Sequence, residues 1–195
     1  MIESWDIRGG VLEYIDETHT YLYEGVILPS VTQLLQKKFS RKYDGIPEHI
    51  LKRAADLGTA LHKAIEDYEK HGTESALVEF HNYKALKAEH DFEVVGNEIP
   101  VVLFDGEEAV AAGRLDLFLA EKDALGLADI KRTSKLDKNY LAYQLNIYRV
   151  AFMQSYDCKI EFLRGIHLRE KVAQYIEIPV DESFVKEILN MEENI

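Results

Sequence analysis

Three residues suggest chemistry by type and spacing: Asp116, Asp129 and Lys131. Residues 125–131 read LGLADIK, a strand-like apolar run that ends on two opposite charges. Side chains alternate along a strand, so Asp129 and Lys131 share a face, about 6–7 Å apart along it. The preceding run, 108–120 (EAVAAGRLDLFLA), reaches this one through a short link, EKDA. A hairpin turning about Lys122–Asp123 sets Asp116 directly opposite Asp129, with Cβ atoms about 4.5–5.5 Å apart. Two carboxylates so placed repel unless one holds a proton or a cation lies between them. An oxygen-rich site of this kind suits Mg²⁺ or Mn²⁺, one or two ions. A turn of odd length would slip the register and break the pairing. The competing reading makes both aspartates surface residues paired with Arg114 or Lys131.

Other residues can join such a site. His62, in GTALHKAIEDY, sits one position beyond apolar Leu61, at the edge of a helical buried face. It is either a metal ligand or a hydrogen-bonded residue at the core's edge. Gly58 precedes it by one turn on the same side. A glycine costs about 1 kcal/mol inside a helix, which a close approach by another backbone would explain. Glu66 follows by one turn, as a supporting group or a plain surface acid. Glu98 lies inside an apolar run, NEIPVVL, where a charge is unusual unless paired. A metal-site role and a structural ion pair are both open. Gln144 and Tyr148 project together at i and i+4, either to grip a phosphodiester and orient the site or to pin a helix. Ser30 and Gln33 have capping-box spacing, so Ser30 caps a short helix whose free N–H groups can also hold a phosphate.

The elements that must carry these residues are legible from periodicity. Residues 11–15 and 20–28 read as strands around the turn DETH. Residues 48–71 form the clearest helix, with Ile50, Ala54, Leu57, Leu61, Ile65 and Tyr68 recurring at spacings of three and four. A second helix covers 75–90. Strands are expected at 92–103, 108–120 and 125–131, a helix at 138–154, a hairpin of 159–168 with 171–178 about Arg169–Glu170, and a last helix at 181–191. That order predicts an α/β (α+β) fold: a mixed central β-sheet flanked by helices, with an N-terminal β-hairpin. The length of 195 residues suits a single domain, 1–47 forming the hairpin and short helix and 48–195 the core.

Composition narrows the class. No apolar run approaches the roughly 20 residues of a membrane helix, and MIESWDIRGG lacks a signal-peptide pattern. A cytoplasmic protein with no membrane partner is the expectation. Cys158 is the single cysteine, which leaves no four-cysteine zinc or iron–sulfur site. The net charge of −12 opposes generic polyanion binding. Yet segments 36–53 and 129–149 are locally basic, while 177–195 is acidic.

Taken in order, GTALH, AGRLD, ADIK and QLNIY resemble the motifs GxxxH, GxxD, (D/E)xK and QxxxY of the RecB-like branch of the PD-(D/E)XK nuclease superfamily. LPSVTQLL is similar to a segment of the mitochondrial genome-maintenance exonucleases and their phage and bacterial relatives. The match runs from about residue 20 to 150. The resemblance implies a restriction-endonuclease-like fold and a Mg²⁺- or Mn²⁺-dependent DNA exonuclease. It implies that Asp116, Asp129, His62 and the backbone carbonyl of Ile130 hold the metal. Lys131 would activate water and stabilise charge on the phosphate, and Gln144 with Tyr148 would support the site and the DNA backbone. Linear ends or single strands would be the substrate, in phage-type recombination or repair in a bacterial or phage-infected cytoplasm, with a single-strand annealing or binding protein as a further partner. Cys158 alone cannot hold the iron–sulfur cluster of CRISPR-associated relatives, and the chain has no room for a helicase motor. A structure-specific endonuclease and a non-catalytic nucleic-acid-binding module are the alternatives. Tyr140, Tyr143 or Phe39 could stack bases, or belong to the core.

Overall fold

A computed structural model describes residues 1–40 and 45–192. Arg41 and Lys42, part of the basic segment 36–53, lie outside the described residues. The described residues form two sheets and five α-helices. The first sheet is an antiparallel meander of β1 (Ile2–Ile7), β2 (Gly10–Ile15), β3 (Thr20–Tyr23) and β4 (Val26–Leu28). The expected hairpin is its centre, but the strand expected at 20–28 turns back at Glu24–Gly25 into β3 and β4, and β1 adds a strand on the other side. The turns Arg8–Gly9 and Glu24–Gly25 have positive φ at both residues, 49° and 80°, then 50° and 78°. That conformation matches the twist of a two-residue hairpin, but Arg and Glu are unusual in it, so neither turn announces itself.

Helices α1 (Val31–Lys38), α2 (Glu48–His71) and α3 (Val78–His90) follow. Ser30 caps α1 in a complete capping box with Gln33. The second sheet is β5 (Phe92–Asp105), β6 (Glu108–Glu121), β7 (Ala124–Lys131), β8 (Phe162–Arg169) and β9 (Val172–Ile178), in that spatial order. Strands β7 and β8 are parallel, with α4 (Lys138–Tyr156) as their crossover; the other pairs are antiparallel. Helix α5 (Ser183–Glu192) closes the fold. Among the described residues, no helix is long and apolar enough to cross a membrane.

The sheet is covered on both faces. On one, α4 is buried nearly all round and packs with Leu34 of α1, Leu115, Leu127 and Ile188 of α5. On the other, Leu61 and Ile65 of α2 and Phe80 and Tyr83 of α3 meet Leu117, Leu119, Ala128 and Ile130. The meander covers the far end of β5–β6 through Leu12, Tyr21, Val102, Phe104 and Ala112. The expected apolar stripe of α2 is buried only in its second half. Ile50 is 50% exposed, Ala54 is exposed, and Leu61 is the first fully buried residue.

Two features fix the geometry of the site. Leu115 packs on the α4 side but Leu117 on the α2–α3 side, so strict alternation breaks at Asp116. The edge of β5 is closed by the end of α4. Gln154 bonds both the N–H and the carbonyl of Phe104, Ser155 does the same for Val102, and the Tyr156 hydroxyl donates to the Pro100 carbonyl.

Candidate active site

The β6–β7 hairpin turns on Lys122–Asp123, with Glu121 paired to Ala124 and Leu117 to Ala128. One step further in that register, Asp116 meets Asp129. There the backbone ladder stops, and Asp116 Oδ2 accepts the Ile130 N–H at 2.7 Å in place of a backbone carbonyl. Strand β5 adds a third acid. Asn97 pairs with Leu117 and Ile99 with Leu115, which puts Glu98 across from Asp116. Glu98, Asp116 and Asp129 thus form a row over three adjacent strands. Glu98 adopts a left-handed backbone, φ 51°, within a strand. For a residue with a Cβ this costs on the order of 1–2 kcal/mol.

Helix α2 delivers His62 to the row. Its Nε2 donates to the Ile130 carbonyl at 3.1 Å, so Nδ1 is the nitrogen left to meet a metal once its proton is lost. Nδ1 lies 3.6 Å from Asp116 Oδ1 and 3.9 Å from Glu98 Oε1. Ligand atoms of His62, Glu98 and Asp116 all lie within 4.8 Å of one another. Ligands around an ion with bonds of about 2.1 Å stand about 3–4 Å apart, so these three could hold a divalent cation after a small closing movement. One imidazole among carboxylates suits Mn²⁺ as well as Mg²⁺. The Ile130 carbonyl, expected as a ligand, receives the histidine instead. Asp129, only 3% exposed, faces Lys131, whose Nζ is 2.6 Å from Asp129 Oδ2.

Burial and charge set the protonation of these groups. Burial opposes charging of His62, but the Asp116 charge and the Glu98 carboxylate outweigh it and raise its pKa to about 9. Burial raises the pKa of Asp129, with Lys131 pulling against it. Burial likewise works against the Lys131 ammonium, and Asp129 and Asp116 reverse the balance, so its pKa rises. Without a cation, the pocket holds its excess of acid by protonating His62 and pairing Lys131.

Helix α4 supports the row from below. Tyr148 packs so closely on Gly113 that a Cβ there would lie 2.9 Å from its ring. Its hydroxyl titrates well above the ordinary tyrosine range, first through burial and then through neighbours that include Asp116 and Asp129. Gln144, one turn earlier, is 6% exposed, and its Oε1 has no donor. Tyr140 and Tyr143 are buried, and Phe39 packs edge-on against both. They are core, with no open face for a base. A Cβ on Gly58 would meet nothing within 4 Å, so no backbone approaches it. Glu66 pairs with Lys63 and Lys70 on the surface. Ser30 is absorbed in capping α1 and in a parallel bridge to Ala112, four positions from Asp116.

Arg114, named in the competing reading as an ion partner of the aspartates, pairs with Glu3 instead. Its Nη2 binds Glu3 Oε1 at 2.7 Å, and its guanidinium lies between the rings of Tyr14, at 4.7 Å, and Trp5, at 5.4 Å. Only the unforeseen β1 brings Glu3 and Trp5 there.

No family model and no curated protein matches the chain. Among solved structures it is similar to one titled "Crystal structure of SSO0001", at 17% identity over 85% of this chain and 76% of that chain, with a TM-score of 0.44.

Proposed function

We propose that the protein is a metal-dependent nuclease that hydrolyses phosphodiester bonds in DNA, acting from strand ends. One observation carries this reading: the row Glu98–Asp116–Asp129 on adjacent strands, sharing its pocket with His62 and Lys131. The motif resemblance to RecB-like PD-(D/E)XK nucleases, carried by the same residues, agrees with it. His62 Nδ1 and the Glu98 and Asp116 carboxylates would hold a Mg²⁺ or Mn²⁺ ion, with Asp129 beside them. When bound, such an ion supplies Lewis acidity toward a phosphoryl oxygen and lowers the pKa of water.

The chain's own groups do the rest. Asp129 holds the Lys131 ammonium by an ion pair and keeps it beside the carboxylates. Lys131 stays charged and places positive charge where the phosphate becomes more negative. His62, locked on the Ile130 carbonyl, keeps its other nitrogen turned toward the acids. Tyr148 is buried and seated on Gly113, three residues from Asp116.

The test is digestion of end-labelled linear DNA with Mg²⁺ or Mn²⁺, with and without chelator, beside Lys131→Ala. Loss of cleavage with chelator, and a drop of about a hundredfold or more in the variant, is the expected result. Cleavage that survives both would reject the mechanism. Closed circular DNA should be spared; its cleavage would point to an endonuclease. Metal-dependent thermal stabilisation without cleavage would point to a binding module.

A further inference from the structure

The face of β5–β6 that carries the acids changes cover at one residue. From Phe104 to Val102 on β5, and at Ala112 on β6, the meander lies over it. Glu98 and Asp116 come next, open to the pocket. Arg114 stands at the boundary, paired across to Pro100 and two residues before Asp116. Two residues of strand span about 6–7 Å, a reach of one to two nucleotides along a nucleic-acid backbone.

Arg114 is not placed as an ordinary surface arginine. Two aromatic rings lie against its guanidinium, and its Nη2 reaches out to the half-exposed Glu3 carboxylate, so this N–H edge is the one that meets an oxyanion. Such an edge matches the oxygens of a phosphate. Its Nε is out of water with no acceptor, which costs free energy unless something supplies one. Its partner, Glu3, lies on β1 and is 41% exposed, so it can swing away. Electrostatics give a further reason for an arginine here. The chain carries a net charge of −12, and an oxyanion next to three carboxylates needs a local cation.

From this geometry we infer that Arg114, held between Trp5 and Tyr14, is a binding site for a phosphate flanking the scissile one, and that Glu3 occupies it until nucleic acid displaces that carboxylate. The inference rests on the nuclease reading and deepens it. It assigns the N-terminal meander a part in holding the substrate, so that β1 serves as more than a cover for the core.

The experiment uses the full chain with Lys131→Ala, which slows cleavage about a hundredfold or more, and a short labelled single strand with Mg²⁺. Affinity is followed by anisotropy between about 50 and 200 mM salt. Trp5, the single tryptophan, gives a second signal through its fluorescence. Added Arg114→Gln should weaken binding about tenfold, lower the salt slope by about one, and abolish the Trp5 response. Arg114→Lys should keep the slope and lose part of the affinity. Glu3→Gln should tighten binding severalfold. Unchanged affinity and slope in folded Arg114→Gln would overturn the subsite. If that variant does not fold, Glu3→Gln decides: affinity equal to or weaker than the parent overturns it. The two readings fail separately. Linear DNA left uncut with metal by the protein that retains Lys131, together with an intact, Arg114-dependent Trp5 response, rejects catalysis and keeps the subsite. Metal-dependent cleavage with no dependence on Arg114 does the reverse.

Discussion

His62 Nε2 donates to the backbone carbonyl of Ile130 at 3.1 Å, joining α2 to the strand that carries Asp129 and Lys131. The bond selects one tautomer and turns Nδ1 toward Glu98 and Asp116. Removing the imidazole should therefore weaken metal binding without dismantling the sheet. His62→Ala should lower Mn²⁺ affinity by about 10–100-fold, as read by calorimetry, with the fold retained by circular dichroism.

Metal binding should also depend on pH. The His62 pKa is raised to about 9 in the metal-free protein, so a cation must displace a proton below that pH. Apparent Mn²⁺ affinity should rise by up to about tenfold per pH unit toward pH 9 and then level off. Metal-free stability should move the opposite way. A histidine with a folded pKa above its unfolded value contributes fully below about 6.5, and that contribution is lost as pH rises through about 9. The slope should not exceed about 1.4 kcal/mol per pH unit. Urea melts in chelator at both ends of this window measure it, and His62→Gln should remove it.

Glu98 invites a trade of function for stability. Its φ of 51° is a conformation that glycine adopts freely, and its carboxylate stands beside that of Asp116. Glu98→Gly should raise metal-free stability by about 1 kcal/mol while reducing metal affinity. A variant that is both less stable and unaltered in metal binding would remove Glu98 from the site.

Gly113 is tested by size. A methyl group there would press on the Tyr148 ring and on Val31. Gly113→Ala should destabilise by about 1–3 kcal/mol, and a smaller residue at Tyr148 should recover part of that loss. Thermal melts of the single and double variants, read as a cycle, measure the coupling.

Much of the site was legible because strand parity and one short turn sufficed. The Lys122–Asp123 hairpin does set Asp116 against Asp129, and LADIK does end on a paired aspartate and lysine. Glu98 could be singled out as a charge in an apolar run, but its partner could not. The turn after Asp105 alone would align Glu98 with Leu115. A register shift at Leu103–Phe104 moves it by one place, to Asp116. Bulges leave little trace in a sequence. The surroundings of Arg114 were hidden for a different reason: they depend on β1, whose Arg–Gly turn lacks the usual Asn or Asp. On α2, periodicity marked an apolar stripe but could not say where the protein stops covering it.

The Gln154–Ser155–Tyr156 triplet at the end of α4 takes up carbonyls and amides that β5 would otherwise present along its rim. A bare rim of that kind invites a neighbouring chain to add a strand. Here the invitation is withdrawn by the molecule's own helix, and Glu98 lies on the strand so protected. Crowded solutions should therefore leave the stretch from Pro100 to Phe104 unjoined, with β9 on the opposite flank the less guarded border.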